Sequence, residues 1–342
     1  MDAGRPLFSV VIVNYNGGPL VQKAIDSLRQ QTRQDFEVIL VDNASNDQSI
    51  DALNTAGLPR FDLMAEAENH GFAKANNLAA RRATGDWLVL LNPDAQADPD
   101  WLDAIARATV RYPETRMFAS LQYDAMRPSM LDGAGDAYLV FGFPWRGGFG
   151  RPAEEVPGEG ECFSPCGAGA VFERHLFLQH GGFDERFFCF CEDVDLGFRL
   201  RLAGERCLFI PDAVIHHVGG ALSGRESEFA TFHGTRNRLW TYVKNMPAPL
   251  LFLTLPGHVI LMAYLLLRGA MTGRGGAMWR GVRAGLKGLP EMRAARLSAP
   301  PRRNSLWRIA RAMAWNPFRM SQRRVHVRPQ ARHITAEVKA NA

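Results

Sequence analysis

The chain has 342 residues, 46% hydrophobic and 22% charged, an ordinary globular composition that excludes a disordered polar chain. Its net charge of +5 hides an asymmetry: residues 268–342 hold 17 Lys and Arg against Glu291 and Glu337, a local +15, which leaves −10 on residues 1–267. An acidic front half argues against a nucleic-acid enzyme, whose basic footprint would cover the working face, whereas the basic tail suits an anionic membrane surface.

In chain order, Met1 to Gly4 lead straight into a strand, with no charged n-region and no apolar h-region. Ser9–Asn14 is a continuous apolar run, the pattern of a parallel strand buried on both faces. Helix periodicity follows from Pro19 to Gln31, a second strand over Phe36–Val41, a third within Leu58–Met64, a helix over Ala73–Ala83 and a strand over Asp86–Leu91. This alternation predicts an α/β fold: a doubly wound, mostly parallel sheet flanked by helices. Residues 141–160 are rich in Gly and Pro and predict a mobile loop. Val194–Ala203 reads as a helix closed by Gly204, and Arg206–Ile210 as a short strand leading to Pro211 and His216-His217.

Residues 247–267 contain no Asp, Glu, Lys or Arg and are long enough to cross a bilayer, but Pro256-Gly257 predicts a break in the middle. A single crossing would put the front domain and the basic tail on opposite sides, so a broken, monotopic insertion is expected. The expected division is a catalytic domain over 1–245, then a hydrophobic helical segment with a basic, membrane-associating tail over 246–342. The five cysteines, Cys162, Cys166, Cys189, Cys191 and Cys207, are odd in number and expected as reduced cytosolic thiols. Their spacing is poor for zinc.

Ligands in such sheets bind beyond the carboxyl ends of the strands, which here carry Asn14-Tyr15-Asn16, Asp42-Asn43 and Asn92-Pro93-Asp94. Asp94 with Asn92 is an oxygen-ligand group suited to a hard divalent cation bridging a diphosphate, although Asp94 also fits a helix cap. Asp42 suits a pyrimidine N–H, or an Asx turn. Glu192-Asp193 stands at a helix N-terminus, where capping competes with a general-base role; spacing leaves Glu192, Asp193 and Asp195 all open. His217 after an apolar strand is either a packed side chain or a ligand completing an oxygen-rich metal shell.

Taken in this order, these stretches resemble the family-2 inverting glycosyltransferases of the GT-A fold, and among them the bacterial rhamnosyltransferase-like branch, over about residues 7–245. Val10–Asn16 is similar to the family's opening strand and nucleotide-contacting turn, Val41–Asp47 to its acidic base-binding motif, and Glu68–Asn77, with Asn69, Gly71 and Asn76, to the stretch beside the nucleotide. Asn92-Pro93-Asp94 stands in the place of the metal-binding DxD motif, with asparagine for the first aspartate. Gly181–Phe188 followed by Glu192-Asp193 resembles the acceptor-side segment, and Arg236-Asn237-Arg238 a later motif. The resemblance implies Asp193 as base, Asp94 and His217 as ligands of Mg2+ or Mn2+, and Asn14, Tyr15, Asn16, Asp42, Asn69, Gly71, Asn76 and Asn92 around the donor. Implied partners are a nucleotide-diphosphate sugar and a glycan or polyprenyl-linked acceptor, at the cytoplasmic face of the inner or plasma membrane. A sugar nucleotidyltransferase would need a Gly-rich, basic signature after the first strand, which Gly17-Gly18 does not supply; a non-catalytic scaffold would have no use for the acidic pair with Asp94 and His217.

Overall fold

Strand β1, Phe8–Asn14, is buried along its whole length, and its alternate residues serve two different cores. Val10 and Ile12 pack on one face of the sheet, Val11 and Val13 on the other, which is the period of two expected of a strand between two helical layers. The computed structural model describes residues 5–51, 53–220, 224 and 227–329; Met1–Gly4 and the tail's Arg332, Glu337 and Lys339 lie outside the described residues.

Strands β2 (Phe36–Asp42), β3 (Phe61–Ala65) and β4 (Trp87–Leu90) run parallel to β1 in the order β4-β1-β2-β3. Short β5 (Ala95–Ala97) precedes β6 (Met117–Asp124) and β7 (Arg127–Ala134), then β8 (Asp136–Leu139), β9 (Phe143–Arg146), β10 (Gly160–Cys162), β11 (Ala170–Glu173), β12 (Cys207–His217) and β13 (Arg328–Pro329). The helices are α1 (Pro19–Arg29), α2 (Gly71–Arg82), α3 (Trp101–Arg111), α4 (Arg174–Gln179), α5 (Glu192–Ala203), α6 (Glu228–Asn245), α7 (Ala248–Met271), α8 (Gly275–Lys287), α9 (Leu289–Ser298), α10 (Leu306–Ala312) and α11 (Pro317–Ser321).

Four expectations need correction. The sheet is mixed rather than mostly parallel, because β11 enters antiparallel between β4 and β6, and β5, β7 and β10 also pair antiparallel. Residues 141–160 are ordered: β9 pairs with β8, and Gly148 and Gly150, both at positive φ, donate backbone hydrogen bonds to Arg323 and Leu131. The glycines there make tight turns against neighbouring backbone, so composition misled. Pro256-Gly257 does not break the apolar segment; α7 is one helix of 24 residues with Pro256 inside it. A Cβ on Gly257 would lie 2.4 Å from the Phe141 ring, so the glycine is there for the close approach of the β8–β9 turn. Likewise β12 continues through Pro211, with a shift of register between Ile210 and Val214 where a proline is tolerated.

The C-terminal helices pack on the front of the chain. One apolar cluster joins Tyr138, Phe163 and Phe198 to Tyr242, Met246, Leu250 and Ile309, across residue 245.

Candidate functional site

The strand register brings Asn14 level with Asp42 at the carboxyl edge of the sheet. The buried Asn14 amide donates to Asp42 Oδ1 at 3.1 Å, Ser45 Oγ at 3.0 Å and Ser49 Oγ at 2.9 Å. Asn16, at φ +53°, turns the chain there and accepts from the Asn46 N–H at 2.8 Å, while Tyr15 stays exposed. Asn43 links this edge to the start of α2, donating to Asn69 Oδ1 at 2.8 Å and accepting from the His70 N–H at 2.9 Å. Gly71, at φ +76°, could not be replaced without collision: a Cβ would lie 2.6 Å from the Phe188 ring and carbonyl. Asn76 is not on the open side. It is buried and donates to the Phe72 carbonyl at 2.8 Å, while its neighbour Asn77 clamps Phe183 through both its backbone N–H and C=O.

A second group forms where β5 meets β12. Ala95 pairs with His217, which sets His217 Nε2 3.1 Å from Asp94 Oδ1 and 3.2 Å from the Asn92 amide. Asp132 stands behind the ring, its Oδ2 2.7 Å from Nδ1. All three acid and imidazole groups are buried. Burial alone would depress the His217 pKa, but the hydrogen bonds and charges of Asp132 and Asp94 outweigh it and raise the value. This donor set fits a divalent cation: Asp132 fixes Nδ1, which leaves Nε2, once its proton is displaced, and Asp94 Oδ1 as neighbouring ligand atoms, and half a turn of the Asn92 amide would add its oxygen.

The third group lies at the start of α5, and it separates the three acids that spacing left open. Asp195 is tied up: it accepts from Lys244 Nζ at 2.8 Å, Asn245 Nδ2 at 2.7 Å and Arg199 Nε at 2.9 Å. Burial opposes its charge, but Lys244 and Arg199 prevail and hold its pKa below the ordinary value. Glu192 is buried, its Oε2 has no hydrogen-bond partner among the described residues, and burial together with Asp193 pushes its pKa well up. Asp193 opens onto a cavity of about 180 Å³, lined also by Asp136, Pro144, Trp145, Arg146 and Cys166. Its carboxylate accepts from the Gly167 and Val194 N–H groups, both at 2.8 Å. Burial raises its pKa despite those two bonds and the nearby Arg146.

The loop before α5 is strained. Phe188, Phe190 and Cys191 all have positive φ, of 65°, 71° and 64°, at a cost of roughly 1–3 kcal/mol each. One side chain compensates: the buried Asn237 amide nitrogen lies 2.9 Å from Phe187 O, 2.9 Å from Cys189 O and 2.7 Å from Phe190 O. Arg236 adds bonds to the Arg186 and Phe187 carbonyls. The Arg236-Asn237-Arg238 stretch thus holds the backbone that presents Asp193.

Sequence reasoning missed Asp132, Asp136 and Arg146. Arg146 pairs with Asp132, its Nη1 lies 3.4 Å from His217 Nδ1, and it lines the cavity of Asp193, so it joins the second group to the third. The signal available was Asp132-Gly133-Ala134-Gly135-Asp136, two acids framed by glycines: a Cβ on Gly133 would strike the Arg146 side chain, and one on Gly135 the Cys162 side chain. The cysteines are free thiols; Cys162 faces Cys207 with the sulfurs 3.4 Å apart.

Residues 9–124 match the family model described as Glycosyl transferase family 2. The chain is 30% identical over 294 residues to the N-acetylglucosaminyl-diphospho-decaprenol L-rhamnosyltransferase of Mycobacterium tuberculosis, a match covering 77% of this chain and 93% of that protein. Its fold is similar to that of the mannosyltransferase PcManGT from Pyrobaculum calidifontis in complex with GDP-Man and Mn2+, with a TM-score of 0.54, 20% identity and coverage of 83% of this chain and 88% of that one. Residues 1–349 of S. aureus TarS, in complex with UDP-GlcNAc, match with a TM-score of 0.54, 16% identity and coverage of 85% and 87%.

Proposed function

Because this chain belongs to glycosyl transferase family 2 and has a GT-A-like mixed sheet, we propose that it is an inverting, metal-dependent transferase moving a sugar from a nucleotide diphosphate to a lipid-linked or cell-surface glycan. Rhamnose is the leading donor sugar and a prenyl-diphosphate-linked N-acetylglucosamine the leading acceptor, by analogy with the mycobacterial relative. The observation that carries the reading is the junction at Arg146, which puts the Asp94–His217 pair and the Asp193 cavity side by side.

Asp193 takes the proton of the acceptor hydroxyl. The freed oxygen bonds to the anomeric carbon as the bond to the diphosphate oxygen breaks, and this one displacement inverts the configuration. Raised by burial, the Asp193 pKa makes its carboxylate a better proton acceptor than an exposed one. The same burial and the charge of Asp193 push the Glu192 pKa up, which disfavours a second negative charge beside the base. Asp94 and His217, with Asn92, would hold Mg2+ or Mn2+, and when bound that cation supplies positive charge for the leaving diphosphate. Asp42 reads the base, Asn14, Tyr15 and Asn16 shape the nucleoside turn, and Asn69 and Gly71 hold the adjoining loop open.

Helix α7 supports a location at a membrane surface. Phe252, Ile260 and Met271 are 74%, 70% and 78% exposed, while the helix turns Thr254 and His258 inward. Helix α8 packs against α7 through Met278 on Gly269, and Ala314 through a cluster that includes Leu261; both flanks carry exposed aromatics, Trp279, Trp315 and Phe318, among arginines. An apolar face rimmed by Trp and Arg matches the boundary of an anionic bilayer, entered from one side.

The test is calorimetric binding of UDP, dTDP and GDP with and without Mg2+ or Mn2+, followed by transfer to a prenyl-diphospho-N-acetylglucosamine and NMR of the product anomer. Metal-dependent binding of one pyrimidine diphosphate and an inverted product support the reading; no nucleotide bound, or a retained anomer, overturns it.

A further inference from the structure

Asp136 opens β8, in register with Arg146 at the end of β9. It is only 6% exposed, yet among the described residues no hydrogen bond ends on its carboxyl group. One ligand atom each from Asp136, Cys166 and Asp193 lie within 4.8 Å of one another. With Pro144, Trp145 and Arg146 these groups enclose the cavity onto which Asp193 opens. A buried acid without a hydrogen bond costs free energy and calls for an account, and the cavity that Asp136 lines offers one in a molecule that enters it. A resident cation is disfavoured at this spot, because the Arg146 guanidinium lines the same cavity and already brings positive charge to it.

The chemistry of the group narrows what completes it. Burial first, then the charge of Asp193, push the Asp136 pKa well up, with Asp132 adding to the rise and Arg146 opposing it. Cys166 shares the cavity, and Glu192, Cys191 and Cys207 feel the same charge from their own elements. A carboxyl group accepts hydrogen bonds in either charge state and also donates one when protonated. A sugar hydroxyl both donates and accepts, so the two are complementary in either state.

We propose that Asp136 is a specificity-determining residue for the acceptor: its carboxyl group hydrogen-bonds the ring hydroxyl that neighbours the nucleophilic one, within the cavity shared with Asp193. The site therefore takes a pyranose with two adjacent free hydroxyls, one deprotonated by Asp193 and the other held by Asp136. This deepens the transferase reading and rests on Asp193 as base.

The test uses the full chain, dTDP-rhamnose as donor and N-acetylglucosamine on a short prenyl diphosphate as acceptor, with a second acceptor lacking the hydroxyl adjacent to the nucleophile. Asp136→Ala should raise the acceptor KM roughly tenfold, the worth of a hydrogen bond or two, and leave nucleotide Kd unchanged. Asp136→Asn, which keeps one donor and one acceptor, should recover most of the loss. For the parent, removing the adjacent hydroxyl should cost a similar factor; for Asp136→Ala it should cost nothing more, because both changes delete the same contact. Equal sensitivity of parent and variant to that hydroxyl, or an unchanged acceptor KM, would overturn the assignment. Should Asp136→Ala fail to fold, Asp136→Leu, which fills the space of the carboxyl group but makes no hydrogen bond, carries the same comparison with the two acceptors. No transfer by the parent would instead remove the underlying reading, and the assignment with it.

Discussion

In α3 the apolar residues Trp101, Leu102 and Ile105 face the sheet, and Arg107 and Arg111 face water. In α7 the arrangement is reversed. Thr254 and His258 turn inward, where Tyr242 donates or accepts a hydrogen bond with Thr254 at 2.9 Å, the His258 ring stacks on Tyr242 at 4.1 Å, and its Nδ1 lies 2.8 Å from the Phe141 carbonyl. Leu253, Val259, Ile260 and Leu267 point away from the protein. The difference teaches that apolar composition answers to whichever solvent a face meets. The α3 residues are explained by the core they fill, whereas the outward α7 residues are left uncovered by the described residues, and the proposed membrane contact accounts for them. The Phe141 turn links α7 to the Asp193 cavity in the front of the chain, since the β8–β9 ribbon has Asp136 and Arg146 at one end and its turn against Gly257 and His258 at the other.

The largest effect should come from the front region alone. Asp193→Asn should lower transfer by about 10² to 10⁴-fold, the usual worth of a general base, with nucleotide Kd and membrane attachment unchanged; transfer kinetics beside calorimetry will read this, and full activity would remove Asp193 from the role. Next comes the outward face. Replacing Phe252, Ile260 and Leu267 together with Asp removes about 1.5–3 kcal/mol of burial per side chain. Transfer to a long-chain acceptor in vesicles should fall at least roughly tenfold, and transfer to a short-chain soluble acceptor should persist.

The inward face should behave in the opposite way. His258→Leu should cost about 1–3 kcal/mol of stability by stranding Phe141 O, and Thr254→Val less, because Tyr242 Oη keeps the Leu251 carbonyl at 3.3 Å; chemical denaturation will read both, without loosening of membrane attachment. Smallest and most general is a pH effect. Burial, with Arg236 nearby for His233 and Arg328 and Arg319 for His326, lowers both histidines to about 4. Protons then bind the unfolded chain first, so stability is complete above the ordinary histidine pKa of about 6.5 and is lost as pH falls from there towards 4. Thermal midpoints across that range should decline, and a flat profile would contradict it.

Much of the front half was legible, because buried parallel strands leave continuous apolar runs and because their polar ends, Asn14, Asp42 and Asp94, mark the working edge of the sheet. Asp193 was less so: three acids on one turn look alike in sequence, and only Lys244, Arg199 and Asn245, at least four residues away in the chain, remove Asp195 from contention. Asp136 and Arg146 are brought together by the register of the β8–β9 ribbon and Asp132 meets Arg146 from β7, pairings that no local pattern announces. Pro256 misled for a related reason. A proline breaks an isolated helix, but here the helix is held from outside by Thr254, His258 and Gly257 against Tyr242 and Phe141.

The most direct measurement is flotation of the full-length protein on vesicles with and without anionic lipid, beside the Phe252, Ile260 and Leu267 variant, with nucleotide binding as the check on folding. The account predicts that the parent floats, more completely on anionic vesicles, while the variant stays in the dense fraction with nucleotide Kd intact. A parent protein that stays dense with every vesicle, or a variant that floats equally well, would contradict the assignment of the outward face of α7 to a membrane.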